Sequence, residues 1–136
     1  IPMELRGQEL LIHADGAFHG DFSWTCEAIG NIVKNCMEHT PEGGGIEIDA
    51  AENALYSEII IKDNGTGISP EDLPHIFERF YRGGAVEEAN VAQPAGFGIG
   101  LSLAQALVSA QGGTLRASNN PAGGARFEIA FPKLVV

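Results

Sequence analysis

Ser57-Glu58-Ile59-Ile60-Ile61-Lys62-Asp63-Asn64-Gly65-Thr66-Gly67-Ile68 runs a β-branched apolar segment straight into an Asp-x-Gly-x-Gly turn. Branched side chains suit a pleated, half-buried strand, which predicts a strand over 57–62. That strand ends on a carboxylate, Asp63, beside backbone at Gly65 and Gly67 that has no Cβ to block close approach. Such a carboxylate can accept a hydrogen bond from an amino group like that of adenine. Asp, Asn and Gly are also the commonest turn residues, so the segment alone reads equally well as a plain turn.

Upstream, Ile46-Glu47-Ile48 alternates apolar with acidic and predicts a second strand, with a turn near Asn53 between the two. Before it lies a helix from about Asp21 or Ser23, either of which can cap it, to about Glu38. Trp24, Ala28, Ile29, Ile32, Val33, Cys36 and Met37 are its apolar positions. Thr40-Pro41-Glu42-Gly43-Gly44-Gly45 ends it. Leu10-Leu11-Ile12 and Ala17-Phe18 flank Asp15-Gly16, which predicts an opening antiparallel pair.

Downstream, Ser69-Pro70-Glu71-Asp72 offers a cap, a proline and first-turn acids, and predicts a short helix through about Phe80. Residues 82–97 are rich in Gly, Ala and Pro. A second long helix is expected from Gly98 to Gln111, stopped by Gly112-Gly113. Thr114-Leu115-Arg116-Ala117 and Arg126-Phe127-Glu128-Ile129-Ala130-Phe131 then predict a closing hairpin around Asn119 to Gly124. Strands frame helices without a repeat or a dividing linker, so the 136 residues read as one α+β domain with a mixed sheet and helices on one face.

Composition limits the partners. Eight Lys plus Arg against 18 Asp plus Glu give a formal charge of −10, which repels a nucleic-acid backbone over most of the surface. No apolar run approaches the roughly 18 residues of a membrane span, and no secretory signal is visible before Gln8. The start at Ile1-Pro2 reads as a cut inside a longer protein, with residues 1–7 belonging to a linker. Cys26 and Cys36 fall about 15 Å of helical rise apart, beyond disulfide reach, and read as two core thiols of a reducing cytosol.

Two segments besides the Asp63 turn suggest polar chemistry. Glu27, Asn31, Asn35 and His39 recur every four residues and form one stripe on the first helix. Asparagine is a mediocre helix former, so a pair at this spacing suggests a site, although a solvated face gives the same pattern. Gly96-Phe97-Gly98-Ile99-Gly100-Leu101 opens the second long helix, where free N–H groups can meet a phosphate. A dinucleotide-binding loop would need a strand immediately before it, and Ala92-Gln93-Pro94-Ala95 stands there instead.

In order along the chain, the Asn stripe, the Asp63 to Gly67 turn, Phe77-Glu78-Arg79-Phe80-Tyr81-Arg82 and the Gly-rich helix start resemble the N, G1, F and G2 boxes of histidine kinases. The resemblance covers nearly everything after Gln8, including the closing Phe131-Pro132. It implies the Bergerat-type ATP-binding fold shared with gyrase, the Hsp90 chaperone and MutL, a two-layer α/β sandwich of a mostly antiparallel sheet, about three helices and a mobile ATP lid at about 83–93. By that resemblance Asn35 ligates Mg²⁺ and Asn31 lies near the phosphates. Asp63 accepts from adenine N6, with Gly65, Gly67 and Ile68 around the base. Gly96, Gly98, Gly100 and Leu101 contact the phosphates, Phe80 belongs to the nucleotide site, and Arg82 reaches the γ-phosphate.

The resemblance further implies ATP and Mg²⁺ as ligands, with Asn31 and Arg82 as catalytic residues. It places the acceptor histidine on a separate dimerisation domain of the same parent, and a response regulator beyond it. None of His13, His19, His39 and His75 has the family's phosphoacceptor pattern, so that histidine is expected outside this chain. The chain is expected to be a monomeric cytoplasmic domain without membrane contact, its parent a homodimer open to membrane anchoring. Three positions depart from the pattern. Glu38 stands where many relatives have lysine, His39 replaces an aromatic residue, and Ala125 replaces a hydroxyl. His39 either stacks on the base or is a surface histidine at a helix end, and Lys34 is expected to face solvent. Asn31 occupies the place where hydrolases of this fold carry their Glu, and an amide cannot accept a proton from water, so transfer is expected over hydrolysis. An anti-sigma-factor serine kinase and a degenerate nucleotide-binding module are the rival readings.

Overall fold

Alternation along the β-branched run decides the architecture. In the strand Tyr56–Asp63, residues Ser57, Ile59, Ile61 and Asp63 are buried, while Glu58, Ile60 and Lys62 face the other side. Ala125–Pro132 repeats the pattern with Ala125, Phe127, Ile129 and Phe131 buried. Antiparallel pairing sets Ile61 opposite Phe127 and Ile59 opposite Ile129, so the two buried rows form one continuous apolar face.

The computed structural model describes residues 9–14, 22–40, 44–81 and 100–133. In chain order these are β1 Glu9–Ala14, α1 Phe22–His39, β2 Gly45–Glu52, β3 Tyr56–Asp63, a 3₁₀ turn Leu73–His75, α2 Gly100–Ala110, β4 Thr114–Asn119 and β5 Ala125–Pro132. The five strands form one sheet in the order β1-β2-β3-β5-β4. Only β1 and β2 pair in parallel, and all other pairs are antiparallel. The expected α+β sandwich with a mixed, mostly antiparallel sheet is the fold observed.

Both helices cover the apolar face of the sheet. Ala28, Ile32 and Cys36 from α1 and Leu101, Ala104 and Val108 from α2 join Ile46, Ile59, Ile61, Phe127, Ile129 and Phe131 in one core. The opposite face carries a charged lattice: Lys62 Nζ lies 3.7 Å from Glu47 and 3.6 Å from Asp49, and Arg126 donates to Glu128 at 2.7 Å. Exposed pairs of this kind add little stability individually. Among the described residues no helix is long and apolar enough to cross a membrane.

Several sequence expectations change. β1 pairs with β2 across the α1 crossover that parallel strands require; the expected hairpin partner Ala17-Phe18, with its Asp15-Gly16 turn, lies outside the described residues. The helix expected over 69–80 contracts to the 3₁₀ turn, leaving two α-helices in the described chain. In and around it the amides of Asp72, His75, Glu78 and Tyr81 bond three residues back, to Ser69, Asp72, His75 and Glu78, while that of Leu73 bonds four back, to Ser69. Pro74 has no N–H to offer an α-helical ladder. For the second long helix α2 begins at Gly100 among the described residues, and the lid and the start of the glycine-rich loop lie outside them.

Cys26 is exposed and Cys36 buried, so only one of the two thiols is in the core. Burial first, and the neighbouring Asp63 carboxylate second, push the Cys36 thiol well above the usual thiol range. Alkylation by iodoacetamide near pH 8 is expected to modify Cys26 alone in the folded chain, with Cys36 reacting only after denaturant is added. Peptide mass spectrometry of the labelled chain checks this, and equal labelling of both thiols under native conditions would contradict the packing.

Candidate functional site

β3 delivers Asp63 to the edge of the core, where it is 5% exposed. A buried carboxylate is costly unless its oxygens find donors. Asp63 Oδ1 accepts from the Gly65 N–H at 2.8 Å and from the Ala125 N–H at 3.1 Å, and the buried Cys36 thiol lies beside this side chain. The donors come from two separate segments, the turn and β5, and α1 packs Cys36 beside them. The hydroxyl missing at Ala125 is therefore not needed to hold the aspartate, since the backbone N–H at that position does so.

Two glycines make this convergence possible. A Cβ at Gly65 would run into the backbone carbonyl of His39, so the end of α1 rests directly on the turn. Gly124 has φ +92°, and a Cβ there would collide with the carbonyl of Asp63. The resulting cavity is lined by Asn35, His39, Asp63, Gly67, Ile68 and Ala125. Its free volume is ≈ 10 Å³, about the room one water needs, so a planar base requires the lining side chains to move aside. A larger depression of ≈ 280 Å³ lies beyond Asp63 around Lys62 and Asn64, but its one cation is already paired with Glu47 and Asp49.

The polar stripe of α1 divides by depth. Glu27 is exposed, Asn31 and His39 are half-buried, and Asn35 is 9% exposed. Lys34 faces solvent as expected. Asn31 sits against the start of α2, its Cβ 3.9 Å from where a Gly100 Cβ would lie, and its buried Nδ2 makes no hydrogen bond. An orphaned buried donor beside a helix N-terminus suits an anionic ligand. Leu101 is fully buried in the core, so only its backbone is available to such a ligand.

Asn35, His39, Asp63, Gly67 and Ile68 thus share one cavity, with Gly65 abutting it, while Asn31, Gly100 and Leu101 form a second group at the start of α2. Phe80 joins neither. It is 60% exposed, with φ 68°, and the Arg79 guanidinium stands 4.8 Å from its ring centre. Arg82, Gly96 and Gly98 lie outside the described residues. Among the described residues no group of three or more His, Cys, Asp or Glu could hold a metal ion. A magnesium ion bound through the Asn35 amide oxygen would take its remaining ligands from phosphate and water, which matches its habits.

Sequence reading considered Ala125 only for the hydroxyl it lacks, and missed Gly124 and Cys36 as contributors. Ala125 acts through its backbone, which no side-chain pattern reveals. Gly124 was legible only as part of a turn, and Cys36 only as a core position.

The family model described as Histidine kinase-, DNA gyrase B-, and HSP90-like ATPase matches residues 20–135. The chain belongs to this family. It is 33% identical over 116 residues to the sensor-like histidine kinase SenX3 of Mycobacterium tuberculosis, covering 85% of this chain and 28% of the relative. With the sensor protein CiaH of Streptococcus pneumoniae it shares 43% over 100 residues, 72% of this chain and 21% of that protein. The chain therefore spans about a quarter of the length of these curated relatives. Among solved structures, a mycobacterial sensor histidine kinase, MprB, superposes with a TM-score of 0.80 at 27% identity, covering 96% of this chain and 87% of that one. This is the histidine-kinase type of ATPase domain found in two-component sensors.

The segment expected to present Arg82 is held at its end by a side-chain bond. Tyr81 donates its hydroxyl to Asp72 at 2.6 Å and stacks on His75 at 5.2 Å between ring centres, while His75 Nδ1 lies 2.7 Å from Glu78. That bond to Asp72 raises the Tyr81 phenol from 10.0 to about 12. The raised value means that the stabilisation is complete below about pH 10 and is lost as pH climbs through about 12. Difference absorbance near 295 nm between the wild type and Tyr81→Phe is expected to isolate one phenol ionising near pH 12; ionisation of that phenol near pH 10 would remove the bond to Asp72.

Proposed function

We infer that this domain binds Mg²⁺-ATP with adenine on Asp63 and passes the γ-phosphate to a histidine on a separate phosphoacceptor domain of its parent. The observation that carries the reading is the buried Asp63 carboxylate, fixed by two backbone N–H groups inside a cavity it shares with Asn35 and His39. A carboxylate so held has fixed orientation and can accept from the adenine amino group without reorganising. Ile68 offers an apolar wall to the ring, and His39 offers a planar one.

The phosphates face a chain of net charge −10, so their binding depends on local donors. The unpaired Asn31 amide and the N-terminus of α2 at Gly100 are two, and Arg82 is assigned a third role at the γ-phosphate. Magnesium, when bound at Asn35, supplies charge neutralisation across the phosphates. Glu38 is exposed and adds no cation. The polar residue one helical turn before Asn35 is Asn31, an amide without basicity, which favours transfer to an incoming imidazole over activation of water. Orientation of the nucleotide then provides most of the catalytic contribution.

Asp63→Asn keeps size but turns an acceptor into an amide, and loss of a charge-assisted bond is expected to weaken ATP binding by about tenfold to a hundredfold. Isothermal calorimetry decides it, and unchanged affinity would remove Asp63 from the base pocket. Asn35→Ala is expected to lower Mg²⁺-dependent phosphohistidine formation on a supplied phosphoacceptor domain by about ten- to a hundredfold while the chain still folds. A fall in thermal midpoint with normal transfer would make Asn35 structural.

A further inference from the structure

Asn119 closes β4, and its side-chain amide pairs with both backbone groups of Ile68. Oδ1 accepts from the Ile68 N–H at 2.7 Å and Nδ2 donates to the Ile68 carbonyl at 2.7 Å. A carboxamide offers a donor and an acceptor in one plane, so Asn119 pairs with Ile68 as a neighbouring strand would, at a point where the chain has left the sheet. Room for the amide depends on Gly67, which has φ +82° and where a Cβ would lie 2.8 Å from Asn119 Oδ1.

In register, Asn119 stands opposite Ala125, the residue whose N–H holds Asp63. The β4–β5 hairpin thereby reaches the cavity twice, once at the carboxylate and once at its apolar wall. Earlier in the turn, Asn64 is tied to Gly45 and Gly65 to Asp63; Ile68 is tied by Asn119. Removing the amide leaves a part-buried N–H and carbonyl without these partners, which favours a shift of Ile68.

We propose that Asn119 is a positioning residue for the adenine base, setting the Ile68 wall at a fixed distance from Asp63 by gripping the Ile68 backbone at both groups. The assignment rests on the Asp63 cavity being the base pocket. Its consequence is selectivity: a wall out of place lets the base slide off the carboxylate, and the amino group that distinguishes adenine then counts for less.

The test is calorimetric titration of Mg²⁺-ADP and Mg²⁺-inosine diphosphate into this chain as the wild type, Asn119→Ala and Asn119→Asp, with amide exchange at Ile68 followed by NMR. Both variants are expected to lose tenfold or more in ADP affinity and to prefer ADP over inosine diphosphate less than the wild type does, and the Ile68 amide is expected to exchange faster in Asn119→Ala, where its acceptor is gone. Asp keeps the volume and the acceptor but cannot donate, so it separates pairing from space-filling and decides the matter if the alanine variant fails to fold. ADP affinity within twofold of wild type, or an equal loss for both nucleotides with the preference intact, overturns the assignment of Asn119 alone. A wild-type chain that does not bind ADP overturns the nucleotide reading, and this assignment with it.

Discussion

The buried carboxylate of Asp63 is the constraint around which the rest of the structure is arranged. A carboxylate taken out of water is tolerated only with donors in place, and here they come from the following turn and from β5, with Cys36 of α1 packed beside them. Each donor fixes one segment relative to β3. Satisfying one side chain therefore also assembles the cavity wall, because Asn35, Ile68 and Ala125 line the same cavity as Asp63.

Close packing transmits this constraint outward. The contact of Gly65 with the His39 carbonyl sets the end of α1 on the turn, and α1 in turn packs Ala28, Ile32 and Cys36 onto the sheet. Interiors at this density respond to small volume changes, so the depth of Asn35 is governed by the same contacts that bury Cys36 beside it. The charged outer face of the sheet takes no part in this and serves to keep the uncovered side of the strands wet.

Charge makes the site local. The surrounding chain is acidic, and among the described residues the groups placed to suit an anion are neutral dipoles: the Asn31 amide and the start of α2. Dipoles held by packing act at short range and do not raise the overall attraction for polyanions.

By itself the sequence determined the elements and their order. The β-branched run at 57–62, the apolar spacing of α1 and the turn residues at 119–124 each encode local geometry through side-chain shape and backbone freedom, whereas the roles expected of Asn35 and Asp63 came from the resemblance to histidine kinases and not from spacing or turn chemistry. Tertiary structure alone decided three things. Cys36 is inside and Cys26 outside, because helical phase relative to the sheet separates residues of equal hydrophobicity. The stretch after Ser69 is a 3₁₀ turn, because Pro74 and the Tyr81 to Asp72 bond override its helix-start signals. Ala125 and Asn119 join the site because donors from residues far along the chain reach Asp63 and Ile68 only once β4 and β5 lie beside β3, a relation no local pattern contains.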